Sequence, residues 1–141
     1  GPAAVVLLSE DDAPARGVQP LARIVAHATH SQEPEWFTTA PIGAIHKVLE
    51  KAGWSLDQVD LFEINEAFAV VAMAPIRELG TDPAKVNVNG GACALGHPIG
   101  ASGARLVVTL VNALRKRDAK RGIATLCIGG GEATAIAIEL I

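Results

Sequence analysis

Three polar residues stand where apolar segments of this 141-residue sequence end: Asn65 after Val59–Ile64, His97 within a glycine-rich stretch, and Cys127 in the run Ile123–Ile128. The carboxyl ends of strands are where open α/β sheets place their sites. Gly90, Gly91, Gly96, Gly100 and Gly103 surround His97 with small residues and lead toward a helix start, where unpaired backbone donors attract negative charge. Gly129, Gly130 and Gly131 follow Cys127 and let backbone N–H groups face an oxyanion beside a thiol. Each residue also has a purely structural reading. Asn65 before Glu66 suits a helix N-cap, His97 before Pro98 suits a turn, and a free cysteine such as Cys127 is commonly a small core hydrophobe.

The elements that would position these residues follow from periodicity. Ala3–Leu8 and Leu21–His27 read as strands, with Ser9–Gly17 a short capped helix or turn between them. Ile42, Ile45, Val48, Leu49 and Ala52 recur at helical spacing, with Pro41 suited to a first turn and Gly53 to the stop. Val59–Ile64 is a strand, and a helical pattern starting at Asn65 runs through Phe68, Val71, Ala72, Ile76 and Leu79, with Pro75 expected to kink or break it. A short strand, Val86–Val88, precedes the glycine loop, and a third helix spans Ala104–Leu114. Ile123–Ile128 and Ala133–Leu140 are near enough in sequence to be antiparallel neighbours. The pattern predicts one α/β domain over residues 1–141, a layered mixed sheet with helices on its faces. The apolar opening right after Gly1-Pro2 suggests a fragment of a longer protein or a cloning remnant.

Composition narrows the function classes. Half of the residues are hydrophobic, and 12 basic against 15 acidic residues leave a charge of −3, which carries no footprint for nucleic acid. Arg115, Lys116, Arg117, Lys120 and Arg121 fall where a helix ends, and cations there complement its dipole. Cys93 and Cys127 form no C-x-x-C pair or Cys/His cluster, so no metal site is expected. No apolar stretch approaches the roughly 20 residues of a spanning helix, so no membrane partner and a cytoplasmic setting are expected. Gly91 and Gly96 have P-loop spacing, but His97 and Pro98 occupy the Lys and Ser/Thr positions. A dinucleotide fingerprint fails at Gly129 and Gly131 because Thr134 stands in the third glycine position.

Asn65-Glu66-Ala67-Phe68, Gly96-His97-Pro98 and Cys127-Ile128-Gly129-Gly130-Gly131 together resemble the three C-terminal signature blocks of the thiolase family, in family order, across essentially the whole chain. The resemblance implies a thiolase C-terminal domain and acyl transfer between acyl-CoA and coenzyme A: thiolysis of 3-ketoacyl-CoA or the reverse Claisen condensation. Coenzyme A and acyl-CoA would be substrates, with no cofactor. His97 would activate the nucleophile and donate to an oxyanion together with a water held by Asn65. Cys127 would be the acid/base at the α-carbon or incoming thiol, and the Gly129 N–H would help form a second oxyanion hole. Ala67, Phe68 and Ile99 match positions lining the acyl or pantetheine channel.

The family's nucleophilic cysteine belongs to its N-terminal half, so the resemblance makes that half a partner, implies a homo-oligomer for the complete enzyme, and predicts that the isolated chain is inactive. Cys93 is given a packing role, and His27, His30 and His46 match no motif. Two rivals stand beside this reading. A condensing enzyme acting on carrier-bound chains would not be expected to keep Cys127, and a non-catalytic acyl-CoA-binding or interaction domain would need no nucleophile.

Overall fold

The computed structural model describes all 141 residues. Its elements are α1 (Asp12–Ala15), β1 (Ala22–Ser31), α2 (Ala40–Ala52), β2 (Leu61–Ile64), α3 (Ala69–Leu79), α4 (Ala92–Leu95), α5 (Ile99–Lys116), β3 (Arg121–Ile128) and β4 (Glu132–Leu140). The four strands form one mixed sheet in the order β1-β4-β3-β2. β4 is antiparallel to both β1 and β3, whereas β2 and β3 are parallel because α3, the glycine loop and α5 separate them in sequence.

Alternation along the strands sends side chains to two cores. On one face Phe62, Ile64 and Ile123 pack with Ala44, Ile45, Val48 and Leu49 of α2 and Ala72 of α3. On the other, Leu61, Ala124 and Ile138 meet Leu106, Leu110, Ala113 and Leu114 of α5. The sheet is therefore the middle of three layers.

Helix ends follow the punctuation in the sequence. Gly53 and Gly80 terminate α2 and α3 in the left-handed region, at φ of 68° and 67°. Ser9 forms a turn that leads into the short α1, its hydroxyl accepting from the Asp12 N–H at 3.1 Å. Arg115 and Lys116 occupy the last turn of α5, while Arg121 stacks 4.9 Å over the Trp54 ring and pairs with Glu139 at 2.9 Å.

Five expectations change. Ala3–Leu8 forms no strand; Val6 and Leu7 lie exposed, since an apolar run becomes a strand only where a neighbouring edge offers backbone partners. Val86–Val88 contributes one bridge, Val86 to Phe62, because the side chain of Asn87 takes over the adjoining backbone groups. α5 begins at Ile99, five residues before the predicted start, and so includes Gly100 and Gly103. α3 begins at Ala69 rather than at Asn65, and it runs unbroken across Pro75. Proline inside a helix costs about 3 kcal/mol, and burial of Val71, Ala72 and Pro75 itself offsets that here.

Candidate active site

Asn65 is fully buried and continues β2 past its formal end, its backbone N–H donating to the Thr125 carbonyl at 3.0 Å. It is therefore not a helix cap. The parallel register sets Ile64 beside Thr125, so Cys127 falls level with Glu66 at the same carboxyl edge of the β2/β3 pair.

The next residue ties the glycine loop to this edge. Glu66 Oε2 accepts from the Cys93 N–H at 2.9 Å and Oε1 from Asn87 Nδ2 at 3.2 Å. Asn87 also accepts from the Ile64 N–H and donates to the Ile64 carbonyl, both at 2.8 Å, replacing a missing strand partner. Gly91 passes so close to the Glu66 carboxylate that any Cβ there would overlap it. That contact explains the small residue at this point.

His97, half-buried beyond the loop, is joined to Asn65 by a 3.3 Å contact between Nε2 and Asn65 Nδ2. Its other ring nitrogen lies 2.6 Å from Ser102 Oγ, and that hydroxyl donates to the Pro98 carbonyl at 3.2 Å. Ser102 sits in the first turn of α5, so the helix fixes the ring. Two of the three sequence candidates thus meet directly.

Cys127 does not share a hydrogen bond with them. It is buried, pairs with Ala133 of β4, and lies in phase with Ile123, whose cluster packs under α2 and α3. Asn65 and His97 instead meet beside α5 through Ser102 and Arg105. Burial pushes the Cys127 thiol up from its ordinary value. A backbone N–H at Cys127 itself pulls toward thiolate, and burial outweighs it.

Around these residues the surroundings differ. An added Cβ at Gly129 would meet nothing within 4 Å, which leaves open space over the turn. Ala67 is half-buried, whereas Phe68 and Ile99 are exposed, with the Phe68 ring edge-on to Phe37 at 6.3 Å between centroids. Cys93 is exposed rather than packed, since α4 is one short turn with a single buried residue, Ala92. Desolvation and the Glu66 carboxylate push its thiol up, which disfavours a nucleophilic role. His27 and His46 are exposed, and the His30 ring packs on Gly43 while contacting Gln32 at 3.0 Å.

Glu63, Arg105 and Ser102 were not singled out from sequence. Glu63 is 1% exposed, paired with Arg105 at 3.1 Å, and its carboxyl is raised to about 7, chiefly by burial against the opposing pull of Arg105. Arg105 also donates to Asn65 Oδ1 at 3.4 Å. The signal was a carboxylate inside the apolar run Leu61-Phe62-Glu63-Ile64, where all four residues are buried.

Fold and edge define the class first: a layered α/β domain that gathers its polar side chains at the carboxyl end of a parallel strand pair. Within that class the chain belongs to the thiolase family, for the sequence model of the thiolase C-terminal domain matches residues 18–140. Over 139 residues it is 55% identical to the acetyl-CoA acetyltransferase of Paracoccus denitrificans, a match covering 99% of this chain and 36% of that protein. The cytosolic acetyl-CoA acetyltransferase of Mus musculus is 52% identical, over 99% of this chain and 35% of its own length. The crystal structure of the Bacillus anthracis acetyl-CoA acetyltransferase superimposes with a TM-score of 0.92 at 48% identity, over 95% of this chain and 34% of that one. Human mitochondrial 3-ketoacyl-CoA thiolase in complex with CoA gives 0.91 at 45% identity, over 94% and 34%. The chain thus spans about a third of the length of these relatives.

Proposed function

We propose that this chain supplies the acid/base half of a thiolase site, acting on acyl-CoA and coenzyme A together with an N-terminal half that brings the nucleophilic cysteine. The observation that carries the reading is the Asn65–His97 contact at the same sheet edge as Cys127, in a chain of this family. A substrate reaching both groups would lie across the carboxyl edge of β2 and β3. His97 would take the nucleophile's proton and then donate to the ketone or enolate oxygen, with a water held by Asn65. Cys127 would move the proton at the α-carbon, and the Gly129 N–H would serve a second oxyanion. Ala67, Phe68 and Ile99 would border the acyl or pantetheine channel. The substrates carry their own reactive groups, so the reading needs no further cofactor. The cytosolic relative supports a cytoplasmic setting, and the complete enzyme is read as a homo-oligomer.

Without the nucleophilic cysteine of the other half, no acyl-enzyme can form on this chain. The 141-residue chain alone should therefore not turn over acetoacetyl-CoA above a Cys127→Ala control. In the complete enzyme, Cys127→Ala should leave covalent labelling of the upstream cysteine by acetyl-CoA largely intact. It should slow α-proton exchange of acetyl-CoA into deuterated water by about 100-fold or more, the usual scale of general acid/base catalysis. Exchange at the parent rate would remove Cys127 from the chemistry and leave it a packing residue. Binding of acyl-CoA without turnover by the complete protein would favour the non-catalytic reading instead.

A further inference from the structure

We infer that Arg105 is a positioning residue: anchored on the buried carboxylate of Glu63, it fixes which way the Asn65 side-chain amide faces and, through that amide, which nitrogen of His97 carries the proton. A guanidinium has donors and no acceptor, so the Asn65 atom 3.4 Å from Arg105 Nη2 has to be the oxygen. The amide nitrogen then faces His97 Nε2 at 3.3 Å. Since Nδ2 can only donate, Nε2 accepts, and the ring proton sits on Nδ1. That proton is donated to Ser102 Oγ at 2.6 Å, and the Ser102 proton goes on to the Pro98 carbonyl at 3.2 Å. One arrangement of protons satisfies all of these contacts together.

Glu63 makes the arrangement rigid. Its Oε2 holds Arg105 Nη1 at 3.1 Å while Nη2 reaches Asn65, so the two outer nitrogens of one planar group are committed to two partners. Without that fork, Asn65 could turn its oxygen toward an Nε2–H of His97, with Ser102 redirecting its one proton from the Pro98 carbonyl to Nδ1.

The catalytic consequence rests on the proposed thiolase reading. A neutral His97 unprotonated at Nε2 can exchange the long 3.3 Å hydrogen bond from Asn65 for the proton of a thiol, leaving a thiolate, and Nε2–H then becomes a donor to a substrate oxygen. An amide free to rotate would offer its own oxygen to that new N–H, and one internal hydrogen bond would occupy the donor meant for the substrate. Arg105 keeps the oxygen on the far side. Both Asn65 Nδ2–H and His97 Nε2–H then remain available to an oxyanion or its water.

The test reads protons directly and needs no activity. Long-range ¹H–¹⁵N correlation spectra of the ¹⁵N-labelled 141-residue chain at alkaline pH, where Glu63 is ionised, should show His97 as the Nδ1–H tautomer. Arg105→Lys keeps the charge but replaces the fork with a single point donor, and should shift His97 to a mixture containing a substantial Nε2–H population. A role for Arg105 that is only electrostatic predicts no change in that variant. Glu63→Gln, nearly isosteric, should move the ring in the same direction to a smaller extent. An Nε2–H tautomer in the parent overturns the inference, as does a parent-like His97 in Arg105→Lys. If Arg105→Lys does not fold, a parent-like His97 in Glu63→Gln overturns it. Failure of the complete enzyme to act as a thiolase would leave these spectra unchanged, so the two readings fail separately.

Discussion

At the scale of single residues, Glu63 dominates the pH response of the fold. It is 1% exposed, one carboxylate oxygen has no partner, and burial outweighs Arg105 in setting its raised value of about 7 against an ordinary 4.5. A carboxyl that holds its proton more tightly when folded is neutral in both states below pH 4.5, and there the fold bears no penalty from it. As pH rises from 4.5 toward 7 the unfolded chain ionises first, and folding stability falls; above 7 the loss levels off. The loss is on the order of 3 kcal/mol, since each tenfold change in proton affinity is worth about 1.4 kcal/mol. Glu63→Gln cannot ionise. Its stability relative to the parent should therefore rise across that window and then stay flat, as measured by urea unfolding at a series of pH values. A difference that does not vary with pH would show that Glu63 is not buried in this way.

Among the elements, the β3–β4 turn separates a glycine required by the backbone from one that is not. Gly131 has φ of 90°, and any Cβ on it would overlap the Gln32 carbonyl, whose residue donates its own N–H to the Gly131 oxygen at 2.9 Å. Gly129 has neither constraint. Gly131→Ala should cost more than about 2 kcal/mol, since strain and a backbone clash act together, while Gly129→Ala should stay within about 0.5 kcal/mol. Thermal or urea unfolding of both variants decides it, and equal losses would refute the distinction. The same contrast shows what sequence reveals. Three glycines after Cys127 announced a turn, but the role of each depends on Gln32, roughly a hundred residues earlier. The helical spacing of Ile45, Val48 and Leu49 was legible because amphipathic helices are specified locally. The strand at Ala3–Leu8 and the cap at Asn65 misled because both assignments ignore what lies alongside: the first finds no partner, and the second is held by Thr125 of β3. At the site, Asn65, His97 and Cys127 were visible as polar breaks in apolar or glycine-rich stretches. Arg105 was hidden within an amphipathic helix, where an arginine ordinarily marks the solvated face.

For the molecule as a whole, the two faces of the sheet are unequally covered. α2 packs across β1, β4 and β3, whereas α5 lies over β2 and β3 and reaches β4 only in part. Beside α5 this leaves a mostly apolar hollow bordered by Val107, Leu126 and Ile136. Phe68, Leu95 and Ile99, close in sequence to Asn65 and His97, are also exposed, at 60%, 59% and 82%. Scattered apolar residues are normal on a surface, but an open sheet face together with an apolar margin near the polar edge favours association. The chain spans about a third of its relatives' length, and the proposed N-terminal half would cover surfaces of this kind. The isolated 141-residue chain should consequently self-associate as its concentration rises, with weight-average mass climbing in sedimentation equilibrium. Ile136→Thr keeps a β-branched residue on its strand while removing apolar area from the hollow, and should lower the association constant without lowering the unfolding midpoint by more than a few degrees. Two results would count against this account: a chain that stays monomeric over the whole series, or an Ile136→Thr variant that associates as strongly as the parent. The second would move the sticky surface from the sheet to the margin formed by Phe68, Leu95 and Ile99, where Ile99→Ser becomes the substitution that should weaken association.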